Sequence, residues 1–237
     1  WTPSPQLRHC WPEGSLMSGL STLRNSLVLP VNGFFQQLSI NGIVLLIGSI
    51  VGSAFIPVFT TIRTMANLFA QGSNLVLAPL SVDIARFHIN EEWEKLGTCF
   101  SVSWLINLSI INITALVSLP FIEPLYKIWT SYEIEFSWTL YLSTLLSIGL
   151  LGFGAPVIFY LRSINALKPL FFITVCRGLS ILAIGYVLIL HYGVTGAGFS
   201  LIVAEFLASM LLPVLFLRKL LLDSYLRKSF LLSILSV

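Results

Sequence analysis

The sequence predicts an all-α integral membrane protein that crosses the bilayer with about six helices. Of the 237 residues, 56% are hydrophobic and only 10% are charged, and the mean hydropathy is +0.91. Soluble domains carry about 25% charged residues, so much of this surface is expected to face lipid. The apolar residues form runs of about 20 or more, which is the length of a membrane-spanning helix. These runs show no sustained alternation of polar and apolar residues, which argues against a membrane β-barrel.

The predicted spans form one six-helix transmembrane lobe over residues 18–220. Because backbone polar groups in hydrocarbon must be paired within the segment, each span is expected to be helical. The spans cover about residues 18–50, 54–80, 96–119, 138–161, 167–190 and 196–217. Residues 1–17 are polar, and they are expected to form an N-terminal loop or an artefactual end. Residues 221–237 are expected to form a C-terminal cytoplasmic tail.

Basic residues are distributed unequally between the two sides of the predicted membrane. Residues 120–137, between the third and fourth spans, hold one basic residue, and the tight connections at Gly52 and Gly193 hold none. The other side holds Arg8, Arg86, Lys95, Arg162, Lys168, Arg218, Lys219, Arg227 and Lys228. Because cytoplasmic segments are enriched in Lys and Arg, both termini are expected in the cytoplasm. Residues 83–97 are expected to form a short amphipathic helix on the cytoplasmic surface.

No pattern in the sequence indicates a metal, a cofactor or nucleic acid. The cysteines Cys10, Cys99 and Cys176 are isolated, and the three histidines are scattered, so no metal-ligand spacing is present. The cysteines are expected to be small buried hydrophobic residues. The net charge of +3 is small and is not gathered in a basic block.

A polar stripe runs along the second predicted span. Its members are Arg63, Asn67, Gln71 and Asn74, separated by 4, 4 and 3 residues. At about 100° per residue, the four side chains project within a sector of ~80°. An ionisable residue within a membrane costs roughly 2.5–3.5 kcal/mol, which makes Arg63 a candidate for function.

The first predicted span carries a similar stripe, within ~60° by the same geometry. It consists of Ser21, Asn25, Asn32, Gln36 and Ser39, and Arg24 lies near the predicted cytoplasmic entrance. Amide and hydroxyl side chains can hydrogen-bond neighbouring helices within a membrane, and they can also line a water-filled cavity. A continuous stripe that includes an arginine favours the cavity.

Two opposite charges lie at matched depths in the fifth and sixth predicted spans. Arg177 lies ten residues into the fifth span, or ~15 Å from one face, and Glu205 lies nine residues into the sixth, or ~13 Å from the other face. In a bilayer core of ~30 Å these depths coincide, so an ion pair is predicted. Such a pair can be purely structural or can take part in transport.

The fourth predicted span is expected to pack closely against another helix or to flex. Gly149, Gly152 and Gly154 lie within one and a half turns of it. Small residues of this kind let helix backbones approach each other in membranes.

Three segments of the chain carry a resemblance to a known family. Residues 39–86 read SINGIVLLIGSIVGSAFIPVFTTIRTMANLFAQGSNLVLAPLSVDIAR, residues 124–146 read PLYKIWTSYEIEFSWTLYLSTLL, and residues 191–207 read HYGVTGAGFSLIVAEFL. The pattern of short loops, small residues and Thr-Thr-x-Arg-Thr resembles polysaccharide flippases of the Wzx type. These belong to the multidrug/oligosaccharidyl-lipid/polysaccharide exporter superfamily. The resemblance covers most of residues 18–220.

The resemblance implies the second lobe of a transporter with about twelve helices in two lobes. Such flippases, which are not enzymes, move polyprenyl-diphosphate-linked oligosaccharides across the bacterial inner membrane by alternating access. The implied partners are lipid-linked oligosaccharide and membrane lipids, with a glycan polymerase and a chain-length regulator as further candidates. Arg63, then Arg177 and Arg24, become candidates for the diphosphate, because guanidinium groups match phosphate oxygens with paired donors. The amide side chains become candidates for sugar hydroxyl groups.

Three other functions remain open. A multidrug or cation exporter of the same superfamily would need a cavity rich in acidic and aromatic residues, whereas the predicted spans hold more arginine than glutamate. A membrane enzyme would need a constellation of His, Asp or Glu near one face, or a large outer loop. A truncated, non-transporting membrane protein is the third alternative, since the resemblance covers only one lobe.

Overall fold

The computed structural model describes residues 28–212 and 215, except for the side chains of residues 28, 29, 69 and 73–77. Within this part of the chain there are six long helices and no strands. The helices are α1 (Val28–Ile50), α2 (Ile56–Ile89), α3 (Trp93–Trp129), α4 (Trp138–Ser163), α5 (Leu167–Tyr192) and α6 (Val194–Glu205). A 3₁₀ turn at Ser53–Phe55 joins α1 to α2, and α6 continues as a π-helix over Phe206–Leu211.

Five of these helices are long and apolar enough to cross a membrane, which confirms the prediction of an all-α membrane protein. They are α1 from Pro30 onward, α3, α4, α5, and α6 with its π-helical extension. The predicted second span is also a helix, α2, but it falls outside this group of five. We attribute this to the polar stripe and the charged residues in α2, which lower its mean hydropathy. The bounds of α4 and α5 agree closely with the predicted fourth and fifth spans. The predicted loop at residues 1–17 and tail at residues 221–237 lie outside the described residues.

The prediction of a connecting loop over residues 120–137 is wrong in its first half. Helix α3 continues through Pro120 and Pro124 to Trp129. A proline inside a helix costs about 3 kcal/mol, so other interactions must offset it. Ile122 and Tyr126 are buried in this part of α3, and the Tyr126 hydroxyl lies 2.9 Å from Thr61 Oγ1 on α2. Tertiary packing therefore extends a helix that local sequence rules would end.

The prediction of a surface helix over residues 83–97 is also wrong. Residues 83–89 are the last turns of α2, and α3 begins at Trp93 after a turn in which Glu91 has φ 58°. The apolar residues Ile84, Leu96 and Phe100 belong to one buried cluster with Tyr160 of α4, and the rings of Phe100 and Tyr160 are in contact. The apolar face of this segment is thus covered by protein, which the hydrophobic pattern alone could not distinguish from a face covered by lipid.

Helix α4 lies at the centre of the bundle and contacts α2, α3, α5 and α6. Helix α1 packs mainly on α5 and touches α2 only slightly. One buried cluster lies near the α1–α2 connection and includes Phe59, Tyr126 and Tyr141. The second cluster, around Phe100 and Tyr160, lies near the α2–α3 turn. Because α1 and α2 separate, a cleft remains between the α1–α5 side and the α2–α3 side, with α4 as its floor.

The predicted close packing of α4 is confirmed at two of its three glycines. A β-carbon at Gly152 would overlap the side chain of Ile111 on α3, and one at Gly154 would overlap the Ser209 carbonyl of the π-helix. At Gly149 nothing lies within 4 Å of such an atom. Two of the glycines therefore hold α4 against its neighbours, and the third leaves space.

We expect Gly154→Ala to destabilise the protein by about 2 kcal/mol, because the added methyl meets backbone that cannot move aside alone. The free energy of unfolding in detergent, followed by circular dichroism against denaturant, measures this change. Gly149→Ala is the matched control, since it adds the same methyl to the same helix in open space, and it should cause no loss. Equal losses in the two variants would contradict the assigned contact.

Candidate functional site

An ion pair joins α5 to α6 within the bundle. Arg177 Nη2 donates to Glu205 Oε1, and the Ser209 hydroxyl donates to Glu205 Oε2 at 2.9 Å. The Glu205 side chain is 4% exposed and that of Arg177 is 30% exposed. The pair predicted from matched depths is thus confirmed. It forms because α5 and α6 are antiparallel and are joined tightly at Gly193, whose φ is +61°.

Arg177 reaches from this pair into a cleft of about 240 Å³. Gln36 of α1, Arg177 of α5 and one face of α4 line the cleft, and Ala70 of α2 and Ile111 of α3 close the opposite wall. The cleft is therefore built from five different helices, with α4 as its largest surface. The α4 lining residues are Ile148, Leu151, Gly152, Ala155, Ile158, Phe159 and Arg162.

A smaller recess of about 80 Å³ shares Gln36, Arg162 and Arg177 with the cleft. Its lining adds Asn32 and Ser39 from α1, Thr174 from α5 and Ser209 from the π-helix. Asn32 Oδ1 and Arg177 Nε are buried and have no hydrogen-bond partner among the described residues. A polar atom in this condition costs about 1–3 kcal/mol unless a ligand or water satisfies it. The recess is therefore suited to a polar ligand.

Arg63 lies deeper in the bundle, toward the α1–α2 connection. Its Nη1 donates to the Ile40 carbonyl of α1 at 3.1 Å, and its Cζ lies 5.7 Å from the centroid of the Phe59 ring. Arg63 interacts electrostatically with Arg177 and Glu205. It also shares a face of α2 with Ala70, two turns away, which lines the cleft. Arg63 itself lines neither the cleft nor the recess, and its guanidinium is bonded to the backbone of α1.

Arg162 completes a row of three arginines along the depth of the bundle. It lies in the last turn of α4, with its Cζ 5.6 Å from the centroid of the Phe159 ring. Arg162, Arg177 and Arg63 together carry three positive charges, against one negative charge on Glu205. This excess of positive charge favours an anionic ligand, and phosphate or carboxylate oxygens match the paired donors of guanidinium groups.

Only some of the other predicted site residues line the cleft or the recess. Asn32 and Gln36 line the recess, and Ser39 does so from a buried position. Asn67 is half-buried and Gln71 is exposed, and neither lines the cleft or the recess. Arg24, Asn25, Ser21 and the side chain of Asn74 lie outside the described residues.

Sequence reasoning missed the role of Arg162 in the cleft and assigned it to a cytoplasmic loop. A usable signal was present, because Gly152, Ala155, Phe159 and Arg162 are separated by 3, 4 and 3 residues. This spacing places Arg162 on the same helical face as the small residues. The positive-inside rule uses only the position of a basic residue in the sequence, so it gave no information on the direction of the Arg162 side chain.

Comparison with known proteins adds no relative. No protein-family model matches this chain, and neither a curated protein nor a solved structure matches it. The class of the protein therefore rests on its fold and site: an all-α membrane protein with an arginine-lined cleft inside its helical bundle.

Proposed function

We propose that the chain takes part in moving a polyprenyl-diphosphate-linked oligosaccharide across the bacterial cytoplasmic membrane by alternating access. The observation that carries this proposal is the pair of arginines, Arg162 and Arg177, that line one cleft within a bundle of apolar helices. A diphosphate is the part of such a ligand that lipid excludes most strongly, since burying unpaired charge is costly. Guanidinium groups inside the bundle provide an alternative to water for that group.

The remaining parts of the ligand also have counterparts in the chain. The amide side chains of Asn32 and Gln36 face the recess and can bond hydroxyl groups of a sugar. The polyprenyl chain would stay in the bilayer, against the exposed apolar side chains of the helices.

Separation of α1 from α2 leaves an opening through which a ligand could enter the cleft from the side. In the proposed arrangement a second six-helix lobe faces this opening, and rocking of the two lobes exposes the cleft to each side in turn. A glycan polymerase and a chain-length regulator are the partners we propose for the exported product.

Transport of an organic cation is supported less well by the same cleft. No acidic residue lines the cleft or the recess among the described residues. Glu205 lies nearby, but both of its oxygens are already bonded, to Arg177 and Ser209. A cation would therefore meet Arg162 and Arg177 and no free carboxylate.

Binding of farnesyl diphosphate to the purified protein in lipid nanodiscs tests the proposal. We expect farnesyl diphosphate to bind more tightly than farnesol, and Arg162→Gln to weaken its binding by roughly tenfold, because a hydrogen bond to a charged group contributes about 1.5–3 kcal/mol. Isothermal titration calorimetry gives both affinities. Arg162 suits this test because it lies at the exposed end of the cleft.

Arg86→Gln is the matched control, since Arg86 is an exposed arginine in the last turn of α2 and does not line the cleft. It should change the affinity by less than twofold. Equal affinity of the wild-type protein for farnesol and farnesyl diphosphate would overturn the proposed ligand class. Tighter binding of tetraphenylphosphonium than of farnesyl diphosphate would favour the cation exporter instead.

A further inference from the structure

The carboxylate of Glu205 is held in place from two sides. Residue Glu205 as a whole is 3% exposed, and it is the last residue of α6 before the π-helix Phe206–Leu211. One oxygen accepts from Arg177 and the other accepts from Ser209, one turn further along. The π-helix is itself packed tightly, because Gly154 of α4 lies directly against the Ser209 carbonyl. Both oxygens of Glu205 are therefore bonded to side chains within a tightly packed part of the bundle.

Glu205 accepts from only part of the Arg177 guanidinium. A guanidinium has five N–H donors, and Glu205 accepts from Nη2. Nε is buried without a partner among the described residues, and the side chain is 30% exposed toward the cleft and recess that it lines. An anionic ligand can therefore bind Arg177 while Glu205 remains attached. The negative charge of Glu205 would then lie on the far side of the same guanidinium from the ligand.

Two anions that share one guanidinium repel each other. At a separation of roughly 6 Å and an effective dielectric constant of about 20, the repulsion corresponds to on the order of a 100-fold change in affinity. Screening by water in the cleft reduces this, and a change of about tenfold is a conservative expectation. A carrier must hold its ligand firmly enough to load it and weakly enough to release it, as a selective channel must.

We propose that Glu205 is a fixed counter-ion that limits how tightly the cleft holds an anionic ligand and so allows its release. This role rests on the proposed function, because it presupposes that the cleft binds an anion. Glu205 does not touch the ligand but acts through Arg177, and it is therefore a positioning residue. Its charge sets the affinity, and its two hydrogen bonds set the orientation of the guanidinium.

The test compares Glu205→Gln with the wild-type protein in nanodiscs, using inorganic pyrophosphate and farnesyl diphosphate as probes. The amide keeps the size of the side chain and can still accept from Arg177, but it lacks the charge. We expect binding of both probes to become at least tenfold tighter, measured by calorimetry. Release of farnesyl diphosphate after dilution should slow by a similar factor, measured by stopped-flow tryptophan fluorescence. A general loss of structure would weaken binding, so a gain in affinity is specific to the proposed role.

Glu123→Gln is the matched control, since Glu123 is bonded to Lys127 at 2.7 Å and to Trp138 at 2.9 Å, outside the cleft. It should leave both affinities within twofold. If Glu205→Gln does not fold, Glu205→Met is the second variant, since it removes the same charge with an apolar side chain of similar length and should tighten binding in the same direction. Unchanged or weaker binding in a folded variant, with normal binding by the wild type, would overturn the role of Glu205 alone. Failure of the wild-type protein to bind either probe would instead overturn the proposed function.

Discussion

Replacing Arg177 with Gln is expected to lower the free energy of unfolding by about 3 kcal/mol and to abolish measurable binding of farnesyl diphosphate. The loss of stability arises because Glu205, which is 3% exposed, would lose its positively charged partner and retain only the bond from the Ser209 hydroxyl. Breaking one side of a buried ion pair typically costs 3–5 kcal/mol. We expect the lower end of this range because the Arg177 side chain is 30% exposed. Denaturant unfolding in detergent measures the first effect, and calorimetry in nanodiscs measures the second.

The double variant Arg177→Gln, Glu205→Gln separates these two effects. It removes both charges, so stability should recover by about 2 kcal/mol relative to Arg177→Gln, whereas binding should not recover. Lys127→Gln is the matched control for the broken pair, since the Lys127 side chain is 43% exposed and the loss of its solvent-exposed pair with Glu123 should leave stability almost unchanged. An unchanged stability in Arg177→Gln, or a double variant no more stable than the single one, would contradict a buried and coupled pair.

The second large effect is expected from Arg63→Gln, which should reduce the proposed transport by at least tenfold. Arg63 lines neither the cleft nor the recess, but its bond to the Ile40 carbonyl joins α2 to α1, and its charge acts on Arg177, which does line the cleft. Its removal takes positive charge from the path that a diphosphate would follow, and a lost charge-assisted hydrogen bond costs about 1.5–3 kcal/mol. Complementation of a strain that lacks its own flippase, with surface glycan as the readout, measures transport.

Two further variants define what Arg63 contributes. Arg63→Lys keeps the charge but loses the planar fork of donors, so it should restore only part of the transport. Arg86→Gln removes an exposed arginine from the same helix and should leave surface glycan unchanged. Normal surface glycan in cells carrying Arg63→Gln would remove this residue from the proposed path, provided that the variant is present in the membrane at the wild-type level.

Sequence reasoning performed best where one helix, or two adjacent helices, decided the outcome. The bounds of α4 and α5 follow from apolar length and from the turn residues that flank them. The pairing of Arg177 with Glu205 follows from the rise per residue and the tight connection at Gly193, because these fix the relative depth of two neighbouring helices. No knowledge of the remaining bundle was needed for either result.

Predictions from the sequence were wrong where contacts with distant helices outweigh local preferences. Pro120 and Pro124 predict an end to α3, but burial of Tyr126 and Ile122 against other helices offsets the cost. The apolar face around Ile84 indicates that this segment is covered by apolar groups. Hydropathy does not show whether these groups belong to lipid or to other helices, and in the structure Ile84 is buried in a cluster with Tyr160 of α4. Such contacts depend on which helices are neighbours, and the local sequence does not contain that information.

The sequence by itself determined the membrane class of this protein, the polar stripes and the matched depths of Arg177 and Glu205, because these depend on composition and on the geometry of single helices. Only the tertiary structure decided that Arg162 and Gln36 line one cleft with Arg177, and that Asn67 and Gln71 do not. The physical reason is the packing of α4, whose small residues Gly152 and Gly154 set how closely α3 and the π-helix approach. That approach, together with the separation of α1 from α2, determines which side chains of five different helices share one space.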